Sequence, residues 1–87
     1  MRFYFHLYNG STTLDTEGVE LKDDAAALRH GQNEALTMAA ESVREGHIDL
    51  RHFIEVTGAS GKRFFKVSFG EVVDIVGLEP SANLDYR

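Results

Sequence analysis

Reactive side chains are few in this sequence, and their spacing argues against most chemistry. Cysteine is absent, which removes thiol nucleophiles, disulfide staples and thiolate zinc sites. The four histidines are His6, His30, His47 and His52, and none stands four residues from another, as two imidazoles sharing a metal on a helix would. His47 and His52 flank Asp49, an arrangement that could hold a metal loosely; solvent-facing histidines are the plainer expectation. No Gly-x-Ser-x-Gly elbow is present to present a nucleophilic serine. Gly58-Ala59-Ser60-Gly61-Lys62 resembles a phosphate loop only in part. It lacks the full Gly-x4-Gly-Lys-Ser/Thr spacing, and a strand pattern follows it instead of a helix. The sequence therefore assigns no catalytic residue, metal ligand or cofactor, and predicts a protein that is not an enzyme.

What remains is a set of aromatic and basic residues that could recognise a partner. Tyr4, His6 and Tyr8 alternate with Phe3, Phe5 and Leu7, and successive side chains of a strand leave opposite faces. The same alternation over 51–57 and 63–69 puts Phe53, Glu55 and Thr57 on one face, with Phe64, Lys66 and Ser68 beside them. Phe3, Phe5, Leu7, Ile54, Val56, Phe65, Val67 and Phe69 then form the opposite, apolar face. Arg51, Lys62 and Arg63 add a small basic patch. Contiguous aromatics on an uncovered sheet face mark a partner site, most simply one that pairs two copies. Among these, Tyr4, His6, Tyr8, Phe53, Phe64 and Lys66 are the interaction-face candidates. His6 would act as a polar anchor, or simply as a strand histidine wetted on one side.

The elements that must position this face follow from periodicity and turn chemistry. Asn9-Gly10 is a hairpin signal, with Ser11–Leu14 as the expected returning strand and Asp15-Thr16-Glu17-Gly18 as the turn that closes it. Val19-Glu20-Leu21 leads toward a helix with Asp23 as its N-cap and Gly46 as its stop. Ala25, Leu28, Ala35, Leu36, Ala39 and Val43 are the expected buried stripe. Gly31 weakens that pattern by about 1 kcal/mol. Gln32 falls near the middle of the stripe, where it would bond a neighbouring backbone group or face a cavity. Gly58–Lys62 closes a second hairpin. Residues 71–76 read as a short helix or an edge strand, and could fold across the open face. The prediction is an α+β domain of order β-β-α-β-β over residues 1–78, with one helix packed on one face of an antiparallel sheet and a flexible tail over 79–87.

Charge and composition bound the partners. Nine Lys plus Arg against fourteen Asp plus Glu leave a net charge of −5, the wrong sign for non-specific binding to nucleic acid or anionic lipid. The leading expectation is a self-associating interaction or regulatory module, a homodimer or the receiver of an unidentified protein partner. Single-stranded nucleic acid stacked on the same face, with Lys62, Arg63, Lys66 and Arg51 on the phosphates, is second. A small-ligand protein using Gln32 is third. The opening residues alternate instead of forming a signal peptide, and no apolar run approaches the ~20 residues of a membrane span.

Tyr4-Phe5-His6-Leu7, the turn Asp15–Gly18 followed by Glu20-Leu21, Glu34-Ala35 in an alanine-rich helix, and Ile54-Glu55-Val56 followed by Gly61 and Val67-Ser68-Phe69 share an order and spacing. Together they resemble a family of small bacterial proteins, common in alphaproteobacteria such as rhizobia, classed as a domain of unknown function. The resemblance runs over roughly residues 2 to 76 and departs from the usual pattern at Ser68, where proline is frequent. It implies a small, stand-alone, cytoplasmic bacterial protein, and it brings no catalytic residues.

Overall fold

Phe3 and Phe5 are buried and alternate with half-exposed Tyr4 and His6, so the first strand lies across the middle of a sheet. The computed structural model describes residues 1–77; the expected tail over 79–87 lies outside them. Strand β1 (Arg2–Tyr8) pairs antiparallel with β4 (Phe53–Gly58) from Phe3↔Gly58 to Tyr8↔Phe53. β4 in turn pairs with β5 (Arg63–Ser68). The other edge of β1 is shared by two short strands. β2 (Thr12–Thr13) returns from the Asn9-Gly10 turn, where Gly10 has φ +95°, and β3 (Val19–Glu20) pairs with Arg2 and Phe3. The fold is the α+β arrangement expected, an antiparallel sheet with one main helix. One strand is added: β3 (Val19–Glu20) returns to β1 before the chain reaches the helix.

Helix α1 (Asp24–Arg44) begins where Asp23 Oδ1 accepts the Ala26 N–H at 2.8 Å and ends before Gly46 at φ +96°. Its roll differs from the sequence expectation by about a quarter-turn. Ala27, Gly31, Ala35, Ala39 and Ser42 face the sheet, whereas Leu28, Leu36 and Val43 are 40, 48 and 57% exposed, and Ala25 and Gln32 are exposed too. The cause is volume. The sheet already contributes the bulky side chains Phe3, Phe5, Ile54, Val56 and Val67, so close packing requires small residues opposite. At Gly31 an added Cβ would stand 3.3 Å from Val56 Cγ2 and 3.5 Å from Val67 Cγ2. The glycine that weakens the helix locally is what lets it approach.

Residues beyond β5 form one short turn of helix, α2 (Phe69–Val72), started by Glu71, whose Oε2 accepts from the Ser68 N–H and hydroxyl at 3.3 and 3.2 Å. Phe69 is fully buried, and Val72 and Val73 pack against the core on the α1 side. Val76 is exposed. Among the described residues, no helix or strand therefore covers the opposite face of the sheet, which the Asp15–Gly18 turn borders at Tyr4 and His6.

Candidate interaction face

The uncovered face is a network of paired side chains. His6 sits at its centre. Its Nδ1 accepts the Asp15 N–H at 3.0 Å, so Nε2 carries the proton and donates to Thr57 Oγ1 at 2.9 Å. Next along β1, the Tyr8 hydroxyl donates to Glu55 Oε1 at 3.2 Å, and Arg63 Nε pairs with Glu55 Oε2 at 2.6 Å. The Tyr8 ring stacks on Phe53 at 4.7 Å and 13°, and Lys66 Nζ stands 4.7 Å from the Phe53 centroid, within cation–π range. Tyr4 lies parallel to His6 with centroids 6.5 Å apart. Burial, with the hydrogen bond to the Glu55 carboxylate, pushes the Tyr8 phenol up, opposed in part by Arg63.

Of the six expected face residues, Tyr4, His6, Tyr8, Phe53 and Lys66 come together and Phe64 does not. The pairing of β4 with β5 shifts register between Val56 and Thr57, so Thr57 opposes Arg63 and an extra residue is accommodated in β5. Such a bulge turns the following side chains over. Phe64 consequently packs on the core side, its ring 5.4 Å from Phe3 and over the Gly58 backbone, where an added Cβ would meet it at 2.8 Å. Arg63 takes its place on the open face. The bracketing glycines of the 58–61 turn were legible in the sequence, but a bulge depends on cross-strand register, which no single strand encodes.

The turn Asp15–Gly18 has a structural role that sequence reasoning missed. Between β2 and β3 the edge of β1 has no partner strand, and the Phe5 N–H there is taken by Asp15 Oδ2 at 3.0 Å. Asp15 Oδ1 accepts the N–H groups of Glu17 and Gly18, each at 3.0 Å. Burial pushes the Asp15 carboxyl up, but these three backbone donors and the neighbouring His6 outweigh it and hold the group below its usual value. Gly18, at φ +74°, lies under β1, where a Cβ would meet Arg2 Cγ, the Phe3 carbonyl oxygen and Tyr4 Cε2 at 2.9 Å. An aspartate three residues before a glycine in a polar turn was the available signal.

The remaining candidates are dispersed. The Arg51 guanidinium donates twice to Asp49, at 3.0 and 2.9 Å, and its backbone N–H once more at 2.9 Å, and these contacts hold the Asp49 carboxyl well below the usual carboxylate range. His52 Nε2 lies 3.4 Å from Asp49 Oδ2, while His47 turns to Glu45 instead. No group of three or more His, Asp or Glu side chains able to hold a metal comes together among the described residues, and no helix among them is long and apolar enough to cross a membrane. Lys62 lies at the tip of the second hairpin, lining a depression of about 350 Å³ with Arg2, Ser60 and Phe64. Gln32 faces solvent, not a cavity.

Neither the curated proteins nor the solved structures contain a match to this chain. The model of one family, the domain of unknown function DUF6894, matches residues 2–70. That span includes β1 to β5, the Asp15–Gly18 turn and the whole of α1. The chain belongs to the DUF6894 family.

Proposed function

We propose that this chain is a non-enzymatic interaction module, working in the bacterial cytoplasm that its family resemblance implies, which self-associates through its open sheet face. The observation that carries the reading is the stack of Lys66, Phe53 and Tyr8 on a face that no described element covers. A half-exposed aromatic pair supplies apolar contact area at low entropic cost, as interface aromatics do. The polar groups beside it are already bonded to one another through His6–Thr57 and Tyr8–Glu55–Arg63. A docking partner therefore buries few unpaired polar atoms, which is the usual penalty for burying a polar surface.

The nucleic-acid reading draws less support from the arrangement. Arg51 and Arg63 each face a carboxylate, leaving Lys62 and Lys66 as the cations for phosphate contact. The test is solution mass by light scattering after size exclusion, over a concentration series. Association that produces a mass of at least twice 9.7 kDa and is weakened in Tyr4→Lys and in Phe53→Lys, with the cooperative melt retained, is the expected result. Association unaltered in both variants refutes the sheet-face reading.

A further inference from the structure

α1 lies over β4 and β5, and contacts on one flank fix how it is turned. The His30 ring meets Phe5 of β1 at 4.4 Å, while Gly31 faces Val56 of β4 and Val67 of β5. At about 100° per residue, the flank opposite His30 carries Leu28, Gln32, Leu36 and Val43. It points away from β1, above the outer edge of β5. Three large aliphatic side chains there, 40 to 57% exposed, overhang the place where a further strand would continue the sheet. Among the described residues, β5 is the terminal strand on that side. The bond from the Phe69 N–H to the His52 carbonyl, together with the register of the pair, puts Phe65 and Val67 in hydrogen-bonded pairs with β4. The backbone groups of Lys66 are thereby directed outward.

We propose that a second copy of this chain occupies this edge: the two β5 strands lie side by side, antiparallel about a two-fold axis, and the two α1 helices pack flank to flank above them through Leu28, Leu36 and Val43. This surface is distinct from the open sheet face and does not depend on it. Three observations select a second copy as the occupant. The first is self-complementarity, which a two-fold interface requires. Leu28 and Val43 lie about 12 and 10 Å from Leu36 along the helix. An axis at Leu36 therefore brings Leu28 of each copy to Val43 of the other, beside a depression of about 300 Å³ lined by Val43, Gly46, His47 and Ile48.

The second is area. A six-residue strand edge of about 20 Å and a 21-residue helix of about 31 Å together offer a footprint on the order of 600 Å² per copy. Two such footprints clear the roughly 1,000 Å² that a specific interface needs. The third is charge. The chain carries −5 overall, yet Glu34, Glu41 and Glu45 lie on the far side of α1, and this flank carries Ala25, Leu28, Arg29, Gln32, Leu36, Ala40 and Val43. Repulsion between two acidic chains is therefore weakest here. The axis runs along the sheet normal, so both open faces point the same way and remain free for the contact proposed above.

The experiment uses the full chain in sedimentation equilibrium from about 10 to 500 μM, with two substitutions at Leu36. Where the sheet face pairs as well, the wild type assembles beyond a dimer and each substitution removes one step of that assembly; Leu36→Lys should weaken the edge contact at least tenfold while retaining a cooperative circular-dichroism melt, because the residue is exposed. Leu36→Cys, the sole thiol in a cysteine-free chain, should form a covalent dimer under mild oxidation, while Ser60→Cys at the hairpin tip should not. A wild-type chain that is monomeric at 500 μM overturns the proposal. So does a dimer that survives Leu36→Lys and is lost in Tyr4→Lys, a result that leaves the sheet-face reading standing alone. A dimer lost in Leu36→Lys and retained in Tyr4→Lys supports the edge and removes the sheet face.

Discussion

Replacing Asp15 tests the assignment of the Asp15–Gly18 turn as the device that completes the β1 edge. In Asp15→Ala the Phe5, Glu17 and Gly18 N–H groups lose their acceptor. Hydrogen bonds to a charged group contribute about 1.5–3 kcal/mol each. The Glu17 N–H is exposed and can turn to water, so the two part-buried bonds dominate, and the expected loss is about 3 kcal/mol. A domain of this length has about 4–13 kcal/mol in total, so the variant should melt roughly 12–24 °C lower. Asp15→Asn keeps an acceptor oxygen but turns an NH₂ toward a donor, and should lose about half as much. The pH dependence has a definite sign. The folded carboxyl titrates below its unfolded value, so its contribution is complete above the unfolded pKa, near 4, and disappears as pH falls through the folded one. Urea midpoints between pH 2.5 and 6 should therefore fall less steeply with acid in Asp15→Asn than in the wild type. A variant within about 0.5 kcal/mol of wild type at pH 7, with an unaltered acid limb, refutes the assignment.

Two further outcomes follow from contacts of Gly31 and His6. Gly31→Leu should lose about 1–3 kcal/mol through overpacking against Val56 and Val67, whereas Gly31→Ala should be close to neutral, its helix gain of about 1 kcal/mol offsetting a 3.3 Å contact; urea denaturation distinguishes them, and a stable Gly31→Leu contradicts the observed roll of α1. The ring of His6, with Nδ1 accepting from Asp15 and Nε2 facing Thr57, should show the Nε2–H tautomer in long-range ¹H–¹⁵N spectra at neutral pH; the Nδ1–H pattern would contradict the hydrogen-bond assignment.

Much of this architecture is legible in the chain itself. Alternation over 3–8, 51–57 and 63–69, the Asn9-Gly10 turn, and the caps Asp23 and Gly46 are local signals, each acting through backbone geometry within a few residues. They determined the three long strands, the extent of α1 and the antiparallel α+β class. Tyr4, His6, Tyr8, Phe53 and Lys66 share one face of the sheet, because simple alternation holds through their stretches of β1, β4 and β5.

Tertiary structure decided the rest. α1 offers two adjacent apolar lines, Ala27–Gly31–Ala35–Ala39 and Leu28–Leu36–Val43. Hydrophobicity favours burying the leucines, but the volume of Phe3, Phe5, Val56 and Val67 leaves room only for the small residues. The side of the sheet on which Phe64 and Arg63 emerge depends on a one-residue slip between β4 and β5, and a slip of one exchanges faces. Asp15 reads in isolation as an ordinary turn residue. It becomes a partner for the Phe5 N–H only once β2 and β3 pair with β1 on either side and leave that donor uncovered. Periodicity determines which way a residue points along its own element, whereas what it meets there is set by the sizes and registers of the neighbours that folding brings to it.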